Sequence, residues 1–286
     1  MNERGSWPGR LAKLAADHPL TFFFTLAYAF AWSFFLPMVL SGALTPRLIV
    51  AGTFGPTVAA IVTHRLATGS YRAFRCLSTW PRVIFGAGIG CVLVVVAYVA
   101  LPGFIAADPR RLHWGVLVSF VYNASTLLGG PLGEEPGWRG YALPRLEERF
   151  GPVRASLLVA LLWTGWHLPL FLVPGWTSAP LWTYVLVLIG VSTIMTTAVN
   201  VARFSVVAAI ATHATFNTVS RFLAGLFGDV EPRVQIPFVT LMALSGLAVG
   251  LVLTVVTRGR LAYHPEVDAR AIQSRPLPVP PFTSGS

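Results

Sequence analysis

Two histidines stand inside stretches free of Asp, Glu, Lys and Arg: His167 in WTGWHLPLF and His213 in ATHATFN. An ionisable group in an apolar span is costly to bury, so each is read first as a functional residue. Asn217 follows His213 by four residues, and i and i+4 share a helix face, so an imidazole and an amide would point at one target. Trp163 stands in the same relation to His167. The acids that could complete such a group are Glu134 and Glu135, in GGPLGEEPGWRG. Glu135 and Arg139 are spaced i, i+4 with the acid first, the favourable order for a helical ion pair, while Glu134 is turned away by about 100° and would remain free. Adjacent carboxylates resist ionising together, so a nearby arginine would hold one charged and leave the other to serve as a general base. The other histidines, His18, His64, His113 and His264, fall at span ends or in tails and are expected at the membrane interface in structural or solvated roles.

A packing histidine and a solvated acidic loop are the plain alternatives for each segment taken singly. Depth argues for a site. Counting back from inside-facing charges, Glu134 lies 15 residues from Arg149, His167 13 from Arg154, and His213 10 from Arg203. At 1.5 Å per residue these separations are roughly 15–23 Å along helices, which tilt could bring level.

The elements that must position these groups follow from the apolar windows. Eight lack any charge: Leu20–Leu40, Leu48–His64, Val83–Leu101, Trp114–Gly133, Ala155–Val173, Leu181–Asn200, Phe204–Ser220 and Ile236–Val256. Each is near the roughly 20 residues a helix needs to cross a hydrocarbon core. The expected fold class is all-α: a polytopic membrane protein of about eight transmembrane helices. Composition agrees, with 55% hydrophobic and 11% charged residues and a mean hydropathy of +0.67. A soluble core, a secreted disulfide scaffold and an outer-membrane barrel are excluded by these windows. Cys76 and Cys91 cannot build a disulfide framework.

Gly129–Phe150 is unlike the other connections. Trp138, Ala142, Leu146 and Phe150 recur every four residues among Arg139, Arg145, Glu147, Glu148 and Arg149, which predicts an amphipathic helix. Pro136 is expected in its first turn. The fourth span would then be broken near Gly129–Pro136, a break tolerated where the backbone is buried in protein or lines a wet cavity.

The net charge of +10 is a topology signal rather than a sign of nucleic acid. With a cytoplasmic amino terminus, 16 of the 21 Lys and Arg residues fall on the inside, as the positive-inside rule requires. Both termini are expected in the cytoplasm and the protein in the cell membrane. The expected organisation is a cytoplasmic lead (1–19), an eight-span membrane domain (20–257) and a disordered cytoplasmic tail (258–286). No leader is expected to be cleaved, because the first apolar window is too long for a signal-peptide core.

The quoted motifs resemble those of a known family. EEPGWR, with Glu134, Glu135 and Arg139, matches E-E-x-x-x-R. The segment around His167 matches F-x-x-x-H with Trp163 in place of Phe, and His213 with Asn217 matches H-x-x-x-[ND]. This resembles the CPBP (Abi) intramembrane proteases, which include the type II CAAX prenyl endopeptidases, with a family-like core at about 114–220. The resemblance implies peptide-bond hydrolysis within the membrane, near the cytoplasmic side. By position, Glu134 would activate water, His167 would help hold it, His213 and Asn217 would stabilise the oxyanion, and Glu135 with Arg139 would support them. The implied partners are the lipid bilayer and a peptide or protein substrate, with or without a prenyl group. No cofactor is favoured; the alternative is zinc held by Glu134, His167 and His213, a His2Glu set of the kind used in catalytic zinc sites. Two other classes of function remain: a proton-coupled transporter using a Glu/His relay, and a non-catalytic immunity or binding protein.

Overall fold

The computed structural model describes residues 7–71, 79–100, 130–177, 179–227 and 238–265. Helices account for all the regular structure among them: α1 (Trp7–Asp17), α2 (Pro19–Ser41), α3 (Pro46–Thr53), α4 (Gly55–Thr68), α5 (Trp80–Val95), α6 (Pro131–Gly137), α7 (Leu143–Phe150), α8 (Pro152–His167), α9 (Leu181–Val201), α10 (Val206–Phe227) and α11 (Phe238–Val256). Many begin in the same way. Proline occupies the first or second position of every helix from α2 to α8. Its fixed φ suits the first turn, and its missing N–H costs nothing there. Glycine in the left-handed region ends α2 at Gly42 and α4 at Gly69, as helix C-caps do.

Among the described residues six segments are long and apolar enough to cross a membrane: Pro19–Ser41, Pro46–Thr68, Trp80–Ala100, Pro152–Leu172, Leu181–Val201 and Val239–Val256. They correspond to six of the eight windows. All but the first two residues of the window 204–220 fold into α10, the helix of His213 and Asn217, and 114–133 lies almost wholly outside the described residues. The chain is an all-helical, polytopic integral membrane protein.

At the centre is α9. Every residue from Val191 to Asn200 is buried, the mark of a helix enclosed on all sides. It packs against α5, α8, α10 and α11. On the outside, α5 turns Ile84, Phe85 and Val92 outward and α11 turns out Leu251, Val252, Val255 and Val256, side chains that a bilayer solvates. Two indoles tie α2 to α8: Trp32 Nε1 donates to the Trp166 carbonyl at 3.0 Å, and Trp166 Nε1 to that of Ala27 at 3.3 Å.

The segment after the break differs from expectation in where its helix begins. It starts at Pro131, so Pro136 lies inside the helix rather than in its first turn. Pro136 has no N–H to give the carbonyl four residues back, and a π-helical turn, Trp138–Ala142, follows directly. Helix continues into α7. Trp138, Ala142 and Leu146 are buried as the four-residue spacing requires, and Phe150 is exposed. Arg139 and Glu147, expected on the wet face, are buried as well, because each has found a polar partner inside the bundle. His64, near the end of α4, is also buried.

The basic ends of α7, α8, α9 and α11 meet at one end of the bundle. There Asn200 Nδ2 donates to Glu147 Oε1 at 2.7 Å and to the Leu261 carbonyl at 3.1 Å. Leu261 is buried and Tyr263 packs edge-on against Phe204. The stretch 258–265, which composition placed in a disordered tail, is therefore folded back onto the bundle; 266–286 lies outside the described residues.

Candidate active site

The site is built where α6 is pressed between α4 and α10. Close approach is possible because α6 is lined by glycine: a Cβ on Gly137 would sit 2.4 Å from the backbone of Pro56, and one on Gly133 would sit 2.7 Å from the Thr53 carbonyl oxygen. Thr57 Oγ1 clasps the Gly133 carbonyl at 2.6 Å. At the start of α6 the Gly130 carbonyl accepts from the N–H groups of Gly133 and Glu134 at 3.0 and 2.8 Å. The first turn, and with it Glu134, is thereby fixed before any side-chain contact is made.

Glu134 and Glu135 are both buried, at 3% and 0% exposure, and helical rotation sends them to different partners. Glu134 Oε2 accepts from Trp163 Nε1 of α8 at 2.6 Å. Glu135 Oε1 accepts from Arg139 at 3.1 Å and lies 2.6 Å from His213 Nδ1 of α10. The ion pair anticipated from the i, i+4 spacing is formed, and the histidine is added to it. Arg139 is fully buried. Its guanidinium lies over the Trp163 ring, 4.4 Å from the centroid, and reaches Ser192 Oγ at 3.4 Å; Ser192 in turn donates to the Ser156 carbonyl at 3.0 Å.

Trp163 is the hub. Its ring centroid is 5.1 Å from that of His213 and 5.9 Å from that of His167, and its carbonyl lies 2.8 Å from His167 Nδ1. The carbonyl is an acceptor only, so Nδ1 carries the proton and neutral His167 keeps its Nε2 lone pair for another donor. Trp166, Trp176 and Tyr184 surround the same imidazole, at centroid distances of 4.7, 5.8 and 5.6 Å.

A single point gathers the remaining groups. A Cβ built on Gly130 would lie 3.3 Å from Glu134 Oε1, 3.3 Å from Asn217 Nδ2 and 3.7 Å from His213 Cε1. Thus Glu134, Glu135, Arg139, His213 and Asn217 are assembled in one cluster, and His167 stands beside it against the Trp163 ring. Asn217 is half-buried, the most accessible member. Such a set offers a carboxylate to take a proton and an amide and an imidazole to donate to developing charge.

The geometry also bears on which atoms would hold zinc. The ligating atoms drawn within 4.8 Å of one another belong to Glu134, Glu135 and His213, not to the His2Glu set read from the sequence. Glu135 Oε1 and His213 Nδ1 are spent on each other, and a guanidinium is bonded to the same carboxylate. A dication there would face Arg139; His213 could keep its Nδ1 contact with Glu135 and offer Nε2, with Glu134 Oε1 the carboxylate oxygen left for a metal.

Sequence reasoning did not find the Trp163–Glu134 hydrogen bond, the Ser192–Ser156 support or Gly130. Only the first left a signal: tryptophan where the family motif carries phenylalanine puts an N–H donor into that position.

Comparison with known proteins points to the same region. Residues 113–219 match the family model described as type II CAAX prenyl endopeptidase, Rce1-like. A 97-residue stretch is 31% identical to CAAX prenyl protease 2 of Methanococcus maripaludis, covering 34% of this chain and 36% of that protein. The chain thus spans about a third of the length of this curated relative. Every member of the buried cluster lies within the matched residues, and the family they match is the CPBP/CAAX protease family to which the motifs pointed.

Proposed function

We propose that the protein is an intramembrane endopeptidase of the CAAX type, hydrolysing a peptide bond near the cytoplasmic side of the cell membrane in C-terminal processing or a related peptide maturation. The observation that carries this reading is the convergence of Glu134 Oε1, Asn217 Nδ2 and His213 Cε1 on one point beside Gly130.

In this mechanism Glu134 takes a proton from water as the water oxygen bonds to the scissile carbonyl carbon. The tetrahedral oxyanion accepts from the Asn217 amide and from His213, which in its imidazolium form presents Nε2–H while Nδ1–H is held by Glu135. Donors fixed in advance where charge develops are among the strongest contributors to such catalysis. The C–N bond then breaks, and the proton held by Glu134 passes to the departing amine. His167, with Nε2 unused by its backbone contact, helps hold the water. Glu135 and Arg139 set the orientation of His213 and keep the second acid out of the reaction. No metal takes part in this scheme. Both termini are cytoplasmic, as the placement of basic residues requires. The substrate is a peptide or protein segment entering from that side, prenylated or not.

The test is cleavage of a peptide library, including farnesylated C-terminal peptides, by wild type and Glu134→Ala in detergent. Loss of a wild-type activity in a folded Glu134→Ala supports the assigned base, and equal cleavage by both refutes it. Stoichiometric zinc in the purified protein together with cleavage abolished by chelation would overturn the metal-free scheme.

A further inference from the structure

We propose that Gly130 is a positioning residue of the site, whose missing side chain reserves the seat of the attacking water. The inference rests on the hydrolytic reading above and adds to it a residue that none of the three motifs contains.

Two observations lead to it. The first is backbone conformation: Gly130 has φ 151° and ψ −81°, a region open to glycine and hostile to any L side chain. Its carbonyl accepts from the N–H groups of Gly133 and Glu134, so this conformation aims the first turn of α6 and the carboxylate on it. The second is what lies on the side where a Cβ would project. Glu134 Oε1 and Asn217 Nδ2 are each 3.3 Å from that point and His213 Cε1 is 3.7 Å away. Methyl carbon at that point would touch all three. That point is only about 1.5 Å from the Gly130 Cα. The oxygen therefore stands beyond it, about 3 Å from that carbon and between the two polar groups, where it accepts from the Asn217 amide, donates one proton to Glu134 Oε1 and keeps a lone pair for attack. A methyl on Gly130 would displace it. The same absence of a side chain thus allows the turn and leaves room for the reactant.

The other glycines of positive φ separate these two roles. Gly42 has φ 65° and a Cβ there would meet nothing within 4 Å. Substitution of Gly42 strains the backbone and fills no site.

The experiment compares Gly130→Ala and Gly42→Ala in steady-state cleavage and thermal unfolding. Gly130→Ala is expected to lower kcat by about 100-fold, as displacement of a reactant by an ångström does, with KM little changed. Gly42→Ala is expected to lower the unfolding temperature and leave kcat per folded molecule unaltered. A kcat near wild type in folded Gly130→Ala overturns the proposal, as does a loss of activity no larger than its loss of folded protein. Should Gly130→Ala not fold, the wild type decides the matter at a resolution that shows water. An oxygen within hydrogen-bond distance of both Glu134 Oε1 and Asn217 Nδ2 beside the Gly130 Cα is expected, and no oxygen there refutes the assignment. If Glu134→Ala cleaves like wild type, the hydrolytic reading itself has failed; if Glu134→Ala is inactive while Gly130→Ala is not, only the role of Gly130 has failed.

Discussion

Removal of one partner of the Glu135–Arg139 pair should be the most damaging single change that leaves Glu134 in place. Both side chains are wholly buried and their atoms are 3.1 Å apart. At an effective dielectric constant of about 20 that separation corresponds to roughly 5 kcal/mol of attraction. Most of this is offset by the cost of taking two ions out of water, so the pair itself contributes little net stability. Breaking it is another matter, because the survivor keeps its desolvation cost without its partner, and such losses run to about 3–5 kcal/mol. Arg139→Met leaves the Glu135 carboxylate with His213 alone; Glu135→Gln leaves a buried guanidinium held by Ser192 and the Trp163 face. Each should raise the unfolded fraction by roughly 100-fold or more. The double variant removes both charges and should lie well closer to wild type than the sum of the two single losses. The assay is reversible unfolding in mixed detergent micelles, followed by helix content, for all four proteins of the cycle. Single losses below about 1 kcal/mol, or a double variant that is merely additive, would refute the argument that this pair is mutually dependent.

Three further outcomes follow from the same contacts. Trp163→Phe keeps the ring against Arg139 and His213 but deletes the N–H that Glu134 Oε2 accepts at 2.6 Å. A hydrogen bond to a charged group contributes about 1.5–3 kcal/mol, so kcat should fall by about 10- to 100-fold, and an unchanged kcat would show that the indole donor does not orient the base. His213→Ala should lower turnover more than substrate affinity, because an oxyanion contact forms mainly in the transition state; steady-state kinetics showing a pure rise in KM would contradict that role. Asn200→Ala removes the bridge between Glu147 and the Leu261 carbonyl and should cost about 1–3 kcal/mol of stability. Its activity per folded molecule should be unaltered, since the bridge is made at the basic end of the bundle, and a selective loss of turnover would tie that end to the chemistry.

Much of the fold could be read in advance because a membrane leaves its demand on the sequence in plain form. Charge-free windows mark the helices, and prolines and glycines mark their ends. The i, i+4 spacings were equally legible: they put Glu135 beside Arg139 and His213 one turn from Asn217 without reference to any other element. The start of α6 was misread because two prolines compete for it. Pro131 and Pro136 both suit a first turn, and the choice is made by Gly130, whose conformation has no signature beyond being glycine. The burial of Arg139 and Glu147 was hidden for a related reason. A period of four separates faces but does not say whether the polar face meets water or meets serine and asparagine on α9.

The partner of His213 shows where spacing stops being informative. From sequence depth alone His213 and the two acids arrive at the same level, and depth does not say which acid the imidazole meets. Helix rotation assigns His213 Nδ1 to Glu135, and this gives the two adjacent acids unequal standing. Glu135, with Arg139 and His213 on one oxygen, is committed to structure. Glu134 has one oxygen anchored by an indole and the other turned to the point shared with Asn217. Because His213 is tethered through Nδ1, its Cε1 edge faces that same point. A second glutamate is thus required if one carboxylate is to orient the histidine while the other remains available to accept a proton. Exchanging their partners would need a rotation of about 100° in α6, which the capped turn at Gly130 and the glycine contacts with Thr53 and Pro56 prevent.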